Sequence, residues 1–134
     1  MKLSTIIQTA RIGANPSDVY SALTDSKKHS AFTGHRARIG KVGEKMSAYG
    51  GVLSGTMLAL RPGKRIIQTW KSDSWPKSCA ESIVDIRLER AGKGTKLTLV
   101  QSAIPASHQK DLEKGWNRHY WKALNAHFKR GKKK

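Results

Sequence analysis

Hydrophobic and polar residues alternate in short runs through the middle of the chain and follow a helical period near its end. Between residues 35 and 102, extended runs are separated by glycine-rich turns, which is typical of an antiparallel meander. The clearest strand places Ile86 and Leu88 on one face, opposite Asp85 and Arg87 on the other. The predicted sheet therefore has one dry face and one wet face.

The elements before this meander are a strand and two short helices. The stretch from Leu3 to Ile12 is rich in β-branched residues and predicts a strand. Asn15 and Pro16 then supply an N-cap and a proline at the first helical position, so a short helix begins there. A second short helix is predicted from Asp25 to Phe32.

After Pro105 the apolar residues recur with a helical period through about Phe128. This helix is long enough to cover the dry face of the sheet. We therefore predict a single α+β domain over residues 1–128, in which a curved antiparallel sheet of about seven strands surrounds a long C-terminal helix. Residues 129–134 are predicted to form a disordered basic tail.

The predicted order of elements resembles the START-like (SRPBCC) superfamily, whose helix-grip fold is also that of the birch-pollen allergen. Within it, several runs resemble the activators of the heat-shock protein 90 ATPase. In chain order they are Gly50-Gly51, Ser54-Gly55-Thr56, the run from Pro62 to Lys71, Ser74-Trp75-Pro76, the run from Gly94 to Leu99, Ile104-Pro105, Gly115-Trp116 and Tyr120-Trp121.

This resemblance implies a helix-grip fold without a cofactor and two open alternatives for function. One is an apolar small molecule bound between the sheet and the last helix, and the other is a chaperone-type protein partner. We expect a cavity beside Trp116 and Tyr120, where small residues such as Gly55, Ala59 and Ala123 meet larger ones. The predicted ligand-binding residues are the inward positions of strands and helix: Met57, Gln68, Trp70, Leu97, Leu99, Trp116, His119, Tyr120 and Ala123.

His119 and the aromatic residues also have plainer interpretations. A buried, hydrogen-bonded structural histidine is favoured over a polar group that faces a ligand. Trp70, Trp116 and Tyr120 are core residues, walls of a pocket, or both.

The formal net charge of +17 adds a third alternative, namely binding of nucleic acid or another polyanion. The predicted last helix carries a basic stripe at steps of four residues, and a solvated helix face is the plainer interpretation of it. No known nucleic-acid-binding motif accompanies the charge. The stripe consists of Lys110, Lys114, Arg118 and Lys122.

Several kinds of chemistry lack support in the sequence. The five histidines never fall at i, i+4 on one predicted helix, so we expect no metal site. Phosphate-binding loops, dinucleotide fingerprints and paired catalytic carboxylates are absent, so we expect no enzyme. The single cysteine, Cys79, and the lack of a signal peptide or an apolar span predict a cytoplasmic protein without a membrane span. We also expect a monomer.

Overall fold

The structure, a computed structural model, describes residues 2–132 of the 134-residue chain, without the side chain of Lys132. The first strand and the two short helices precede six further strands and the C-terminal helical segment. The elements are β1 (Leu3–Ile12), α1 (Pro16–Thr24), α2 (Ser26–Thr33), β2 (Arg38–Ile39), β3 (Lys45–Ala48), β4 (Leu53–Arg61), β5 (Arg65–Ser72), β6 (Ser82–Ala91), β7 (Gly94–Pro105), α3 (Gln109–Trp116) and α4 (Lys122–Lys132).

The strands form one seven-stranded antiparallel sheet in the order β1-β7-β6-β5-β4-β3-β2. This order is a meander whose first strand has been added beside the last, so the predicted fold class is confirmed. The predicted alternation holds as well, because Ile86 and Leu88 are buried whereas Arg87 is exposed. The dry face and the C-terminal helix enclose the core.

Side chains cap the N-termini of both short helices, as predicted for the first of them. The Asn15 side chain accepts a hydrogen bond from the Asp18 N–H at 2.9 Å, and Pro16 follows at the first helical position. The Asp25 side chain caps α2 in the same way through the Lys28 N–H at 2.9 Å. Gly34 ends α2 in the left-handed conformation, which glycine adopts without strain.

The last helix differs from the prediction in two respects. Between α3 and α4 the backbone makes one π-helical turn over Asn117–Trp121, in which the Lys122 N–H donates to the Asn117 carbonyl five residues earlier. The helix also continues through Lys132 instead of ending near Phe128, so residues 129–132 are helical rather than disordered. The remaining residues of the predicted tail, 133 and 134, lie outside the described residues.

Close approach of β4 to β5 explains one glycine that we had assigned to a cavity. A Cβ atom at Gly55 would collide with the Thr69 carbonyl oxygen, so a glycine is required where the two strands meet. Ala59 pairs with Ile67 beyond a bulge in the same ladder. Neither Gly55 nor Ala59 lines the cavity described below, and Ala123 does not line it either.

Within residues 2–132, no helix combines the length and the apolar character needed to cross a membrane.

Candidate functional site

The π-helical turn gathers three large aromatic side chains on the face of the helix that contacts the sheet. Trp116 and Trp121 are five residues apart, and their rings stack at 5.4 Å with an interplanar angle of 14°. The Tyr120 ring lies 4.8 Å from that of Trp116. From the sheet, Trp70 on β5 contacts Trp116 with ring centroids 5.6 Å apart. All four side chains are buried, and such ring pairs add to the energy of burial itself.

A chain of buried hydrogen bonds fixes the orientation of Trp116. Its indole Nε1–H donates to Gln101 Oε1 at 2.8 Å, and Gln101 Nε2 donates to Ser82 Oγ at 3.0 Å. Ser82 Oγ in turn donates to the Trp70 carbonyl at 2.7 Å. Gln101 and Ser82 are fully buried, so every link replaces a hydrogen bond that water would otherwise make. The helix is thereby connected to β7, β6 and β5.

A second buried pair holds Tyr120. His29 Nδ1 lies 3.1 Å from the Leu23 carbonyl oxygen, and His29 Nε2 lies 3.1 Å from the Tyr120 hydroxyl. A carbonyl can only accept, so Nδ1 carries the proton of the neutral ring, and Nε2 accepts from the Tyr120 hydroxyl. Burial lowers the pKa of His29, although the hydrogen bond to Leu23 opposes this shift. Burial also raises the pKa of Tyr120, so both side chains are neutral.

Outside this aromatic cluster lies a groove of about 320 Å³ that is open to solvent on one side. It lies between α3 with its π turn, the end of β5, and the connection from β3 to β4. Its walls are almost entirely apolar, with a few polar residues among those that line it. The residues that line it are His35, Tyr49, Val52, Leu53, Trp70, Ser72, Asp111, Leu112, Gly115, Trp116, His119 and Tyr120.

Tyr49 closes one side of the groove. Its hydroxyl donates to the His119 carbonyl in the π turn at 2.6 Å, and its ring is 4.9 Å from His35. Burial raises the pKa of Tyr49 to about 12. Tyr49 has a φ of 51°, in the left-handed region that non-glycine residues seldom adopt, and Gly50 and Gly51 continue that conformation. A strained backbone therefore holds this ring at the mouth of the groove.

The predicted ligand-binding residues divide into two groups. Trp70, Trp116, His119 and Tyr120 line the groove. Met57, Gln68, Leu97 and Leu99 are buried on the dry face of the sheet and do not line it, and Ala123 lies half-buried one turn beyond. These five were chosen by inward position alone, and that criterion does not separate core from pocket.

His119 lies at the rim of the groove with an exposed side chain, so the favoured interpretation as a buried structural histidine was wrong. The π turn adds a residue to the helical turn and displaces position 119 from the buried face. The buried, hydrogen-bonded histidine is His29 on α2. Within the described residues, no group of three or more His, Cys, Asp or Glu side chains could hold a metal ion.

Sequence reasoning missed the residues that complete the site. Tyr49 precedes Gly50-Gly51, which we had interpreted as turn residues and as one of the runs that resemble the family, and His35 lies in a loop without periodicity. Gln101 did carry a signal, because it continues the inward series of Thr95, Leu97 and Leu99 as a polar residue. A polar side chain at such a position needs a buried partner.

The basic stripe of the last helix is solvent-exposed along its whole length. Lys110 and Lys114 lie on α3, Arg118 in the π turn and Lys122 at the start of α4, and all four are exposed. Asp111 and Glu113 stand between them on the same helix.

The sheet, the helix laid across it and the groove between them define a START-like helix-grip domain. The chain belongs to the family described as activator of Hsp90 ATPase homolog 1-like protein, whose model matches residues 13–129. The resemblance noted in the sequence is thereby confirmed.

Individual relatives agree with this assignment. An activator of 90 kDa heat shock protein ATPase homolog from Dictyostelium discoideum is 37% identical over 106 residues, which cover 78% of this chain and 27% of the relative. The human activator homolog 1 is 28% identical over 115 residues, covering 85% and 34% respectively. The chain thus spans about a quarter to a third of these relatives. The crystal structure of an Hsp90 activator from Plasmodium falciparum superposes with a TM-score of 0.77 at 25% identity, covering 87% of this chain and 89% of the other.

Proposed function

We propose that the chain is a non-enzymatic binding module that holds a small apolar molecule in the groove between α3 and the sheet. The observation that carries this proposal is the aromatic wall formed by Trp70, Trp116 and Tyr120 on a groove of about 320 Å³. Small-molecule sites in proteins are typically concave and apolar, with a few polar groups that orient the ligand. The polar lining residues Ser72, Asp111 and His119 would supply those groups.

The volume of the groove limits what fits. An engineered apolar cavity of about 150 Å³ binds benzene, and small-molecule pockets begin at about 300 Å³. A groove of 320 Å³ therefore suits a compound with two aromatic rings better than a full sterol or a long acyl chain. Because the walls are apolar, selection should follow size and shape more than hydrogen bonding.

Gly115 offers a direct test, because it lines the groove on α3 and has room for a side chain. A Cβ atom there would meet only His119 Cδ2, at 3.9 Å. Gly115→Leu should fill the groove without disturbing the core, and replacing a helical glycine favours folding by up to about 1 kcal/mol. We expect the unmodified protein to bind 2-naphthol or a flavonoid, with NMR shifts at the Trp70 and Trp116 indoles, and Gly115→Leu to abolish those shifts.

The matched control is Gly131→Leu, the same change on α4 away from the groove, where no atom lies within 4 Å of the added Cβ. It should leave binding unchanged. If no apolar compound shifts the indole signals of the unmodified protein, or if Gly115→Leu binds as well as Gly131→Leu, the groove is not a ligand site.

Binding of a chaperone is the second candidate, because two relatives that align with most of this chain are named as Hsp90 ATPase activators. The test is the steady-state ATPase rate of Hsp90 with and without this chain. Stimulation that persists in Gly115→Leu would assign the activity to a surface outside the groove. If the unmodified chain does not stimulate Hsp90, binding of a small molecule is the only one of the two proposed functions that remains. A cytoplasmic location and a monomeric state stay predictions in either case.

A further inference from the structure

We propose that the end of the sheet opposite the groove binds the phosphate backbone of duplex nucleic acid without sequence preference. This surface, the basic end, consists of the β4–β5 turn, the β6–β7 turn, the adjacent outer face of the sheet and the last turn of α4. It is independent of the groove.

Three arginines stand side by side on the outer face of this end. Arg61 on β4 is directly opposite Arg65 on β5, and Arg65 is directly opposite Arg87 on β6. Neighbouring strands are about 4.8 Å apart, so the row presents three guanidinium groups over about 10 Å. A second pair, Arg11 on β1 and Lys96 on β7, is also in register on this face.

The turns and the helix end add further cations around this row. Lys64 follows Pro62-Gly63 in the β4–β5 turn, and Arg90 and Lys93 flank Gly92 at the β6–β7 turn. The side chains of Lys64, Arg90 and Lys93 are all exposed. Lys93 and Arg130 line one cleft of about 750 Å³ between the β6–β7 turn and α4. The positive charge of the helix end is thus continuous with that of the sheet.

Carboxylates compensate only part of this charge. Glu89 on β6 is directly opposite Lys96, and Asp18 lines the cleft that Lys93 and Arg130 also line. Asp85 accepts two hydrogen bonds from Arg65, at 2.8 and 3.1 Å, and lies 3.7 Å from Arg87. Across the described residues these are the only ion pairs within 4.0 Å. Like charges directly opposite one another on neighbouring strands are destabilising. A bound external anion would offset this repulsion. The packing of the fold does not require the arginine row itself.

The charge pattern favours duplex nucleic acid over other anionic partners. Guanidinium groups bind phosphate in a bidentate manner, and a duplex carries one negative charge per about 1.7 Å of its axis. An extended acidic peptide carries at most one per about 3.3 Å. Proteins that bind single strands also use exposed aromatic stacking surfaces. The strand ends and turns over residues 60–66 and 87–96 contain no aromatic residue, and His127 and Phe128, which line the cleft beside α4, are half-buried. The helix stripe is a weaker candidate because two carboxylates, Asp111 and Glu113, flank it on the same helix.

The test compares two triple variants that remove the same charge. Arg61→Gln/Arg87→Gln/Arg90→Gln alters the basic end but retains the Arg65–Asp85 pair, whereas Lys110→Gln/Lys114→Gln/Lys122→Gln alters the stripe. Binding to a duplex of about 20 base pairs is followed by fluorescence anisotropy from about 50 to 200 mM salt, the range over which phosphate binding weakens steeply. Removing one side chain that neutralises a phosphate reduces the slope of log K against log salt by about 0.9. We therefore expect the variant of the basic end to reduce this slope by up to about 3. The variant of the stripe should reduce it by less than about 1.

Each other outcome contradicts the proposal. Equal weakening by both variants would mean that only net charge matters. Phosphate binding is strong at about 50 mM salt. If the unmodified protein does not bind the duplex at that salt concentration, the basic end is not a nucleic-acid-binding surface. Binding of polyglutamate or of phosphatidylserine vesicles with no binding of duplex would assign the basic end to another partner. Circular dichroism and thermal melting of all three proteins verify that the variants are folded.

Discussion

The two ends of the sheet are stabilised by opposite means. At the groove end, Trp70, Trp116 and Tyr120 pack ring against ring, and Gln101 connects the helix to the strands through hydrogen bonds that are fully buried. At the basic end, Arg61, Arg65 and Arg87 lie in register on the outer face, where Asp85 pairs with Arg65 and lies 3.7 Å from Arg87, so like-charge repulsion in the row is offset only in part. Substitution should therefore destabilise the protein at the first end and stabilise it at the second.

The largest effect is expected at Trp116. Trp116→Ala removes an aromatic ring from the centre of the cluster, leaves a cavity and deprives Gln101 of its donor, so we expect a loss of about 3–5 kcal/mol in the free energy of unfolding. Urea denaturation followed by circular dichroism measures this loss. Trp116→Phe keeps most of the ring and should lose less. A loss below about 1 kcal/mol for the alanine variant would contradict the packing described for this end.

A smaller loss should follow from breaking the hydrogen-bond chain alone. Gln101→Leu keeps the volume but leaves the Trp116 indole N–H buried without an acceptor, which destabilises by about 1–3 kcal/mol. Gln68→Leu is the matched control on the neighbouring inward face, because Gln68 makes only one bond of 3.3 Å to the adjacent Thr69 carbonyl. Urea denaturation of both variants should rank Gln101→Leu as clearly the less stable. Equal losses would show that the hydrogen-bond chain contributes no free energy of unfolding beyond that of burying the side chains.

The contrast between the ends also explains which features could be predicted from the sequence. Alternation of residues such as Ile86 and Arg87 predicts strands and their faces, and Asn15 predicts a helix start, because these signals are local. The π turn leaves no such signal, since spacings of four and five residues both place Trp116, Tyr120 and Trp121 near one face.

The groove depends on contacts between residues far apart in sequence. Tyr49 reaches His119 across 70 residues, and His29 reaches Tyr120 across 91. Periodicity within one element identifies an inward residue, but it does not tell whether the residue meets another side chain or a gap. For that reason the core residues Leu97 and Leu99 were predicted as ligand contacts, whereas Tyr49 was not.

Acid should weaken the groove end selectively through His29. Burial lowers the pKa of folded His29 below the ordinary value near 6.5. The unfolded chain therefore binds the proton more readily than the folded chain does. The stability that His29 contributes above pH 6.5 is lost as the pH falls below 6.5. Urea denaturation at pH 7.5, 6.5 and 5.5, values on either side of the ordinary histidine pKa, should show this decline.

Two histidine variants control this experiment. His29→Gln can still hydrogen-bond but does not titrate, so it should flatten the dependence of stability on pH. His35→Gln, at an exposed histidine, should leave the decline in place. A decline of the same size in His29→Gln would assign it to other groups. Asp85, whose pKa is lowered by the hydrogen bonds from Arg65, titrates in the range below its ordinary value of 3.8 and lies outside this window.

The smallest effect, and the one of opposite sign, is expected at the basic end. Arg61→Gln removes one member of the like-charged row without touching a buried contact, so we expect the melting temperature to rise by about 1–3 °C at low salt. Raising the salt concentration screens the same repulsion, so the gain should shrink in about 0.5 M salt. Lys110→Gln, which removes the same charge beside Asp111, serves as the matched control and should leave the melting temperature nearly unchanged. If Arg61→Gln lowered the melting temperature, the row would stabilise the folded chain by itself, and its charge would no longer require an external partner as its explanation.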